Sequence, residues 1–219
     1  MIGDQLTYYE AYGEITAFVL QQLQDRIIRG ERLCISVGGE SGCGKTSLAY
    51  ALKLDLEKAL GVQGYVFHGD DFFHLPPADN HQARLNDIDN VGMDEVNMEL
   101  LDQCVAAFKK GEDSLVKPLV NYEENLLLEE QIDPGQYQFC LVEGTYVTAL
   151  TQPDYKVFIK STYLDTQALR IMRARDLLNE FNERVLEIEH RIIREHKKWA
   201  HLVIDKERNF SLNQHPSDA

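Results

Sequence analysis

The chain has 219 residues and a formal net charge of −14 at pH 7, with 44% hydrophobic and 26% charged residues. This composition is typical of a globular protein, and the negative charge argues against a general nucleic-acid-binding protein, which would carry a basic face. No apolar run approaches the roughly 20 residues that a membrane-spanning helix requires. We therefore expect neither a nucleic-acid partner nor membrane association.

The four cysteines lie far apart and form no CxxC pair, which indicates reduced thiols rather than a disulfide framework. The first residues, MIGDQLTYYEAYGE, show no basic segment followed by an apolar one, as a signal peptide would. Both features predict a cytoplasmic protein. The sequence does not define an oligomeric state, and a homo-oligomer is compatible with it.

The apolar periodicity predicts alternating helices and strands. A helix over Tyr9–Ile28 precedes a strand at Arg32–Val37, a helix at Lys45–Leu60 and a strand near Tyr65–His68. The later elements are a helix near Asp94–Lys110, strands at Gln138–Val142 and Tyr155–Lys160, a charged helical segment over Thr166–Trp199, and a strand at His201–Ile204. This alternation predicts an α/β domain with a mainly parallel sheet.

A phosphate-binding loop is predicted within VGGESGCGKTSLA, which matches GxxxxGK[ST] in full between a predicted strand and a predicted helix. Successive backbone N–H groups of such a loop turn toward one anion, and the helix N-terminus adds its positive dipole end. Lys45 is expected to reach the β- and γ-phosphates, and the Thr46 hydroxyl to bind Mg²⁺. The residues expected to bind the nucleotide are Gly39, Glu40, Ser41, Gly42, Cys43, Gly44, Lys45, Thr46 and Ser47.

A second motif, GDDFFHLPPADN, follows the second predicted strand, at the sheet edge where parallel α/β proteins bind ligands. A carboxylate there can accept a proton from an acceptor hydroxyl or hold Mg²⁺ through water. The alternative is a pair of aspartates that caps a turn. The upstream phosphate-binding loop favours a functional Asp70. A DxxG match at Asp89–Gly92 has no NKxD motif after it, so a GTPase switch lacks support.

Together these motifs resemble the uridine kinase and phosphoribulokinase-type family of P-loop small-molecule kinases, which includes nicotinamide riboside kinases. The family places D-x-F-[YF] after its second strand, and Asp70–Phe73 matches it in the DDFF form of the nicotinamide riboside kinases. The segments KPLVNYEE, LVEGTYV and LDTQALRIMRARD are similar to family segments in the family order. The resemblance covers about Cys34 to Asp205 and implies a three-layer P-loop sandwich with a helical lid.

The resemblance also implies roles for residues outside the phosphate-binding loop. Asp70 would be the catalytic base near Mg²⁺, and Glu143 would order Mg²⁺ or its waters beside the substrate. Tyr122 would form a wall of the acceptor pocket. Phe73, at the end of the DDFF motif, and His74, which follows it directly, are expected to contact the acceptor.

Two arginines in the lid segment, Arg170 and Arg173, are expected to act in catalysis with Lys45. Guanidinium groups are planar donors that suit phosphate oxygens and the charge that develops during transfer. The two residues are three apart and share a helix face. The alternative is a solvated helix whose arginines form salt bridges with neighbouring acidic residues.

The chain departs from the uridine kinases where they recognise the pyrimidine nucleoside. The family's HP pair is replaced by Val91-Gly92, and the lid sequence ERGR is absent. We therefore predict one P-loop kinase domain over residues 1–219, with an N-terminal helix within 1–30 and a lid at about 165–199. It would use ATP and Mg²⁺ to phosphorylate a hydroxyl of a small metabolite.

A nucleoside is the leading acceptor, of the uridine, cytidine or nicotinamide riboside type. Pantothenate, glycerate or a sugar phosphate stay open as acceptors, because fold does not determine substrate. The rival from another class is a regulatory protein that binds a nucleotide and transfers nothing. The presence of both Asp70 and Glu143 argues against that rival.

Overall fold

The computed structural model describes residues 10–167, 170, 179–213 and 216. Its α-helices are α1 (Gly13–Ile28), α2 (Lys45–Leu60), α3 (Pro77–Asn86), α4 (Met98–Lys110) and α5 (Glu180–Ile193). Its strands are β1 (Leu33–Gly39), β2 (Gly64–His68), β3 (Leu115–Asn121), β4 (Leu126–Ile132), β5 (Phe139–Gly144), β6 (Tyr155–Lys160), β7 (Leu202–Asp205) and β8 (Phe210–Leu212).

The main sheet has six strands in the order β2-β5-β1-β6-β7-β8. All neighbouring strands run parallel except β7 and β8, which are antiparallel. Strands β3 and β4 form a separate antiparallel hairpin. The predicted α/β fold with a mainly parallel central sheet is confirmed.

Helices cover both faces of this sheet. Leu23 of α1 and Leu52 of α2 belong to the core on one face, and Leu101 and Phe108 of α4 belong to the core on the other. All seven residues of β1 are buried, because this strand lies between two neighbours and under both helical layers. Burial on both faces explains why β1 is a continuous apolar run instead of an alternating one.

Several elements differ from the predictions. Helix α3 and strands β3, β4 and β8 were not predicted. Helix α4 begins at Met98 rather than Asp94, because the Asn97 side chain accepts a hydrogen bond from the Leu100 N–H (3.0 Å) and caps the helix there. The segment predicted as helical over Thr166–Trp199 contains α5 and a 3₁₀ turn at His196–Trp199, and residues 168, 169 and 171–178 lie outside the described part.

Two expectations from composition can be compared with the structure. All four cysteines are free, and Cys34, Cys104 and Cys140 are buried. Within the described ranges, no helix has both the length and the apolar character that a membrane span needs.

Candidate active site

The loop between β1 and α2 forms a cradle of backbone atoms. Gly39, Gly42 and Gly44 have φ angles of 149°, 77° and 101°, which residues other than glycine rarely adopt. A Cβ added at Gly39 would lie 2.8 Å from the backbone oxygen of Ile159, and one at Gly44 would lie 2.6 Å from the Tyr12 hydroxyl. The loop can therefore follow this path only with glycine, as in loops whose backbone N–H groups bind an anion.

The Lys45 ammonium is held inside the same loop, where its Nζ donates to the backbone oxygen of Glu40 (2.9 Å). The Glu40 side chain is also buried, and it accepts from the backbone N–H of Tyr163 (2.7 Å) and lies 2.7 Å from Nδ1 of His190. A loop residue expected only to contact nucleotide thus also joins two later parts of the chain. Its neighbour Ser41 accepts through its backbone oxygen from the Thr166 hydroxyl (3.0 Å).

Three side chains meet at the start of α2. The Thr46 hydroxyl donates to Oε2 of Glu143 (3.2 Å), and Oε1 of the same carboxylate lies 2.8 Å from Nδ1 of His68. Burial alone raises the pKa of Glu143, but the hydrogen bond from His68 and the nearby Lys45 ammonium outweigh it, so the pKa lies below its usual value. The carboxylate is therefore charged at neutral pH and suits a hard cation.

The pairing of β2 with β5 explains why His68 and Glu143 lie together. His68 is the last residue of β2 and pairs in register with Glu143 of β5. His68 was not among the predicted site residues. The alignment of the two strand ends would have identified it, had the order of the strands been known.

The DDFF segment follows β2 as a 3₁₀ turn at Gly69–Phe72 and places its two aspartates differently. Asp70 is partly buried, and burial together with the Glu143 carboxylate raises its pKa. Asp71 is fully buried and accepts from Nζ of Lys117 (3.0 Å) and from the N–H of Val120 (3.0 Å). Asp70 thus has the properties of a proton acceptor, whereas Asp71 ties the turn to β3.

Backbone contacts fix the rest of this turn. The N–H of Asn97 donates to the Phe72 oxygen (2.8 Å), and the N–H of His74 donates to the Glu95 oxygen (2.9 Å). Phe73 is partly buried and lines a small cleft beside Asp70, whereas the His74 side chain is exposed. The structure therefore brings Phe73, but not the His74 ring, to the predicted base.

The remaining predicted residues lie in other positions. Tyr122 follows β3 directly with 39% of its surface exposed, and it does not line the cleft beside Asp70. Arg170 is buried against the phosphate-binding loop, where its Cγ would lie 2.8 Å from a Cβ added at Gly42. Its guanidinium donates to the Tyr163 oxygen (3.0 Å). Arg173 lies outside the described residues.

The donor set at the start of α2 fits a magnesium nucleotide. In the described ranges there is no group of three or more His, Cys, Asp or Glu side chains that could enclose a metal ion. Mg²⁺ commonly binds through one or two protein oxygens together with substrate phosphates and water. Thr46 and Glu143 supply that number beside the phosphate-binding loop.

Sequence reasoning missed a group of charged side chains next to this site. Arg84 of α3 donates to both oxygens of Glu95 and, at 3.0 Å, to Oε1 of Glu189 on α5. Asn80 also donates to Glu95 (3.0 Å), and the Gly92 N–H donates to its other oxygen (2.8 Å). Residues so far apart along the chain leave no local pattern that could have revealed the group.

Comparison with known proteins identifies relatives of this chain. The model of the Phosphoribulokinase / Uridine kinase family matches residues 34–173, more than half of the chain. The bifunctional alpha-galactosidase/sucrose kinase AgaSK of Mediterraneibacter gnavus is 30% identical over 190 residues, which cover 80% of this chain and 20% of that protein. This chain thus spans about one fifth of the length of that curated relative. The resemblance inferred from the sequence motifs is confirmed.

Solved structures share the fold at low sequence identity. D-glycerate 3-kinase from Cryptococcus neoformans var. grubii matches with a TM-score of 0.61 and 16% identity, over 94% of this chain and 100% of that one. Phosphoribulokinase from Rhodobacter spheroides matches with a TM-score of 0.59 and 14% identity, over 80% of this chain and 70% of that one.

Proposed function

Since the chain belongs to the Phosphoribulokinase / Uridine kinase family, whose members transfer phosphate to hydroxyl groups of small molecules, we propose that it is itself such a kinase and uses MgATP. The observation that carries this proposal is the contact of Thr46 and His68 with the two oxygens of Glu143, beside the phosphate-binding loop and Asp70. A carboxylate for a metal and a second one for a proton are the two groups that phosphoryl transfer requires.

Each residue of the site has a separate proposed role. The loop amides and Lys45 would hold the β- and γ-phosphates, and Thr46 and Glu143 would hold Mg²⁺. When bound, Mg²⁺ neutralises charge on the phosphate oxygens. Asp70 takes the proton of the acceptor hydroxyl, whose oxygen then forms a bond to the γ-phosphorus while the bond to ADP breaks. The raised pKa of Asp70 suits this step, because a base is most effective when its pKa lies closer to the working pH.

Among the lid arginines, we assign Arg170 to the developing charge on the γ-phosphate. Its packing against Gly42 supports this role. Arg173 is proposed for the same role from the sequence resemblance alone. Closure of the lid would exclude water and favour transfer over hydrolysis.

The acceptor belongs to one of two classes. A nucleoside is the prediction from the motifs, and the family name includes uridine kinase. A non-nucleoside acceptor is favoured by the relatives, whose names include a sucrose kinase and a glycerate kinase. A single panel of acceptors separates the two classes.

The experiment measures ADP release from purified protein with MgATP, alone and with each of uridine, nicotinamide riboside, sucrose, glycerate, pantothenate and ribulose 5-phosphate. An acceptor-dependent rate is expected. Asp70→Asn should lower that rate by about 10²- to 10⁴-fold while ATP still binds. Lys45→Ala should weaken ATP binding, and the exposed Asp94→Asn is the matched control that leaves both quantities unchanged.

The regulatory alternative gives a different result. A protein that only binds nucleotide would release no ADP with any acceptor, and Asp70→Asn would be without effect. That result would overturn the kinase proposal.

A further inference from the structure

Four side chains form a buried polar group beside the catalytic turn, which we call the acceptor cluster: Arg84, Glu95, Tyr146 and Glu189. They come from α3, from the 3₁₀ turn that precedes α4, from the segment after β5 and from α5. Glu95 and Tyr146 are buried, and the side chains of Arg84 and Glu189 are only 15% and 12% exposed. Polar groups at this depth require partners.

The Tyr146 hydroxyl lacks such a partner. Its oxygen is buried and makes no hydrogen bond with any described residue. Burial and the nearby Glu189 and Glu95 carboxylates raise its pKa, so these charges lie close to the ring although none bonds to it. A buried hydroxyl without a partner is destabilising, and a bound hydroxyl or water would recover this loss.

Two other members of the cluster also have unused bonding capacity. Arg84 donates through Nε and Nη2, and its Nη1 has no partner among the described residues. Glu189 accepts from Arg84 through Oε1, and its Oε2 likewise has none there. The cluster therefore offers a donor, an acceptor and a hydroxyl that can act as either.

The cluster lies next to the proposed chemistry. Tyr146 lines the same small cleft as Asp70 and Phe73. This cleft has a volume of about 10 Å³, which is room for one hydroxyl group rather than a ring. The Lys45 ammonium is close enough to lower the pKa values of both Glu189 and Asp70.

We propose that the acceptor cluster binds a neutral sugar through its hydroxyl groups and presents one of these hydroxyls to Asp70. This inference rests on the proposed kinase function and names its substrate class. Adjacent hydroxyls of a sugar ring both donate and accept, which matches the free Nη1, Oε2 and phenol groups of the cluster. The phosphoryl group passes from ATP to the presented hydroxyl, and the proton of that hydroxyl passes to Asp70.

Charge favours a neutral acceptor over an anionic one. Glu95 already balances Arg84 with two hydrogen bonds, so the guanidinium is not available as an uncompensated cation. Burial raises the pKa of Glu189, and this group adds either a negative charge or a neutral acid. Neither form attracts the carboxylate of glycerate or the phosphate of a sugar phosphate.

The test compares acceptor kinetics in two cluster variants and one matched control. Tyr146→Phe removes the unpartnered phenol, and Glu189→Gln keeps the shape but removes the charge. The control is Tyr155→Phe, because the Tyr155 hydroxyl is also buried without a partner among the described residues but lies in the core under α1 and α2. The acceptors are sucrose, fructose and ribose as neutral sugars, glycerate and ribulose 5-phosphate as anions, and uridine.

We expect a neutral sugar to give the highest kcat/KM. Tyr146→Phe should raise the KM for that sugar about threefold to tenfold, because it removes a neutral hydrogen bond. Glu189→Gln should raise it about tenfold or more, because hydrogen bonds to a charged group are stronger. The KM for ATP should stay unchanged in Tyr146→Phe and its thermal midpoint should not fall, because the phenol that is removed has no partner among the described residues. Tyr155→Phe should change neither KM. A merely structural role of Tyr146 would change stability but leave the KM for the sugar, like the KM for ATP, unchanged.

Two results would overturn the inference while the kinase proposal stands: an anionic acceptor or uridine as the best substrate, or an acceptor KM that neither cluster variant changes. Absence of ADP release with every acceptor would instead overturn the kinase proposal, and the inference with it.

Discussion

The phosphate half and the acceptor half of the site are built in opposite ways. The phosphate half consists of neighbouring residues, Gly39–Thr46, whose backbone conformation forms the cradle. The acceptor half consists of side chains from separate elements, with Arg84 and Glu189 more than one hundred residues apart. A local turn can be recognised from a short pattern, whereas a set of distant side chains depends on the whole fold.

The largest expected effect concerns the turn that carries Asp70 on the acceptor side of the site. Lys117 and Asp71 form an ion pair with side chains 1% and 0% exposed, and Lys117→Met removes the ammonium that balances this buried carboxylate. We expect the free energy of unfolding to fall by about 3–5 kcal/mol, measured by urea denaturation. ATP affinity of the folded fraction should remain unchanged.

The double variant Asp71→Asn with Lys117→Met is the control for that prediction. It removes both charges and keeps an oxygen for the Val120 N–H. It should recover most of the lost stability, and equal destabilisation of the single and double variants would contradict the ion-pair explanation.

The next largest effect is a loss of ATP affinity when the phosphate half is disrupted. Gly39→Ala places a Cβ 2.8 Å from the Ile159 backbone oxygen, which cannot move without distorting β6. We expect ATP affinity to fall about 100-fold, by comparison with losses caused by misplaced binding groups. Gly61→Ala is the matched control, because Gly61 also has a positive φ (67°) but no atom within 4 Å of the added Cβ. If both variants bind ATP equally well, crowding in the loop is not what requires glycine.

A smaller effect concerns the pH dependence of folding stability and involves His196, which lies beside Tyr146 of the acceptor half. His196 is buried, and its ring lies 6.2 Å from that of Tyr146. Burial lowers the pKa of His196 to about 4 from 6.5. Above pH 6.5 the histidine is neutral in both states, but below it the unfolded chain binds a proton that the folded chain takes up only near pH 4.

Stability should therefore decrease as pH falls from 7 to 4, and His196 should contribute a loss of about 2 kcal/mol at pH 5. Urea denaturation of wild type and His196→Phe at pH 7 and pH 5 measures this contribution as a difference. Parallel losses in the two proteins would show that other groups cause the pH dependence.

The smallest expected effect concerns His68, which lies where the two halves of the site join. His68 holds one oxygen of Glu143 while Thr46 holds the other. His68→Phe should raise the Mg²⁺ concentration for half-maximal activity about tenfold, because partners of a metal ligand orient it. His68→Asn can restore the hydrogen bond and should recover part of the loss. An unchanged Mg²⁺ dependence in His68→Phe would exclude a positioning role.

The same contrast explains what the sequence could predict. Strand β1, helix α2 and the loop between them were predicted because burial and the glycine pattern are local. Helix α3 was missed because it buries none of its residues and so has no apolar periodicity. The β3–β4 hairpin was missed because β4 exposes Leu126 and Leu127 on successive positions, without the alternation of a half-buried strand.

Helix α3 also bears on how the acceptor specificity proposed for this chain could change. It carries Arg84 of the proposed acceptor cluster, yet none of its ten residues belongs to either hydrophobic core. Substitutions at the exposed positions of this helix can therefore change how Arg84 is presented with little loss of fold stability. An evolving kinase could exchange one substrate for another here and keep the same phosphate-binding loop throughout.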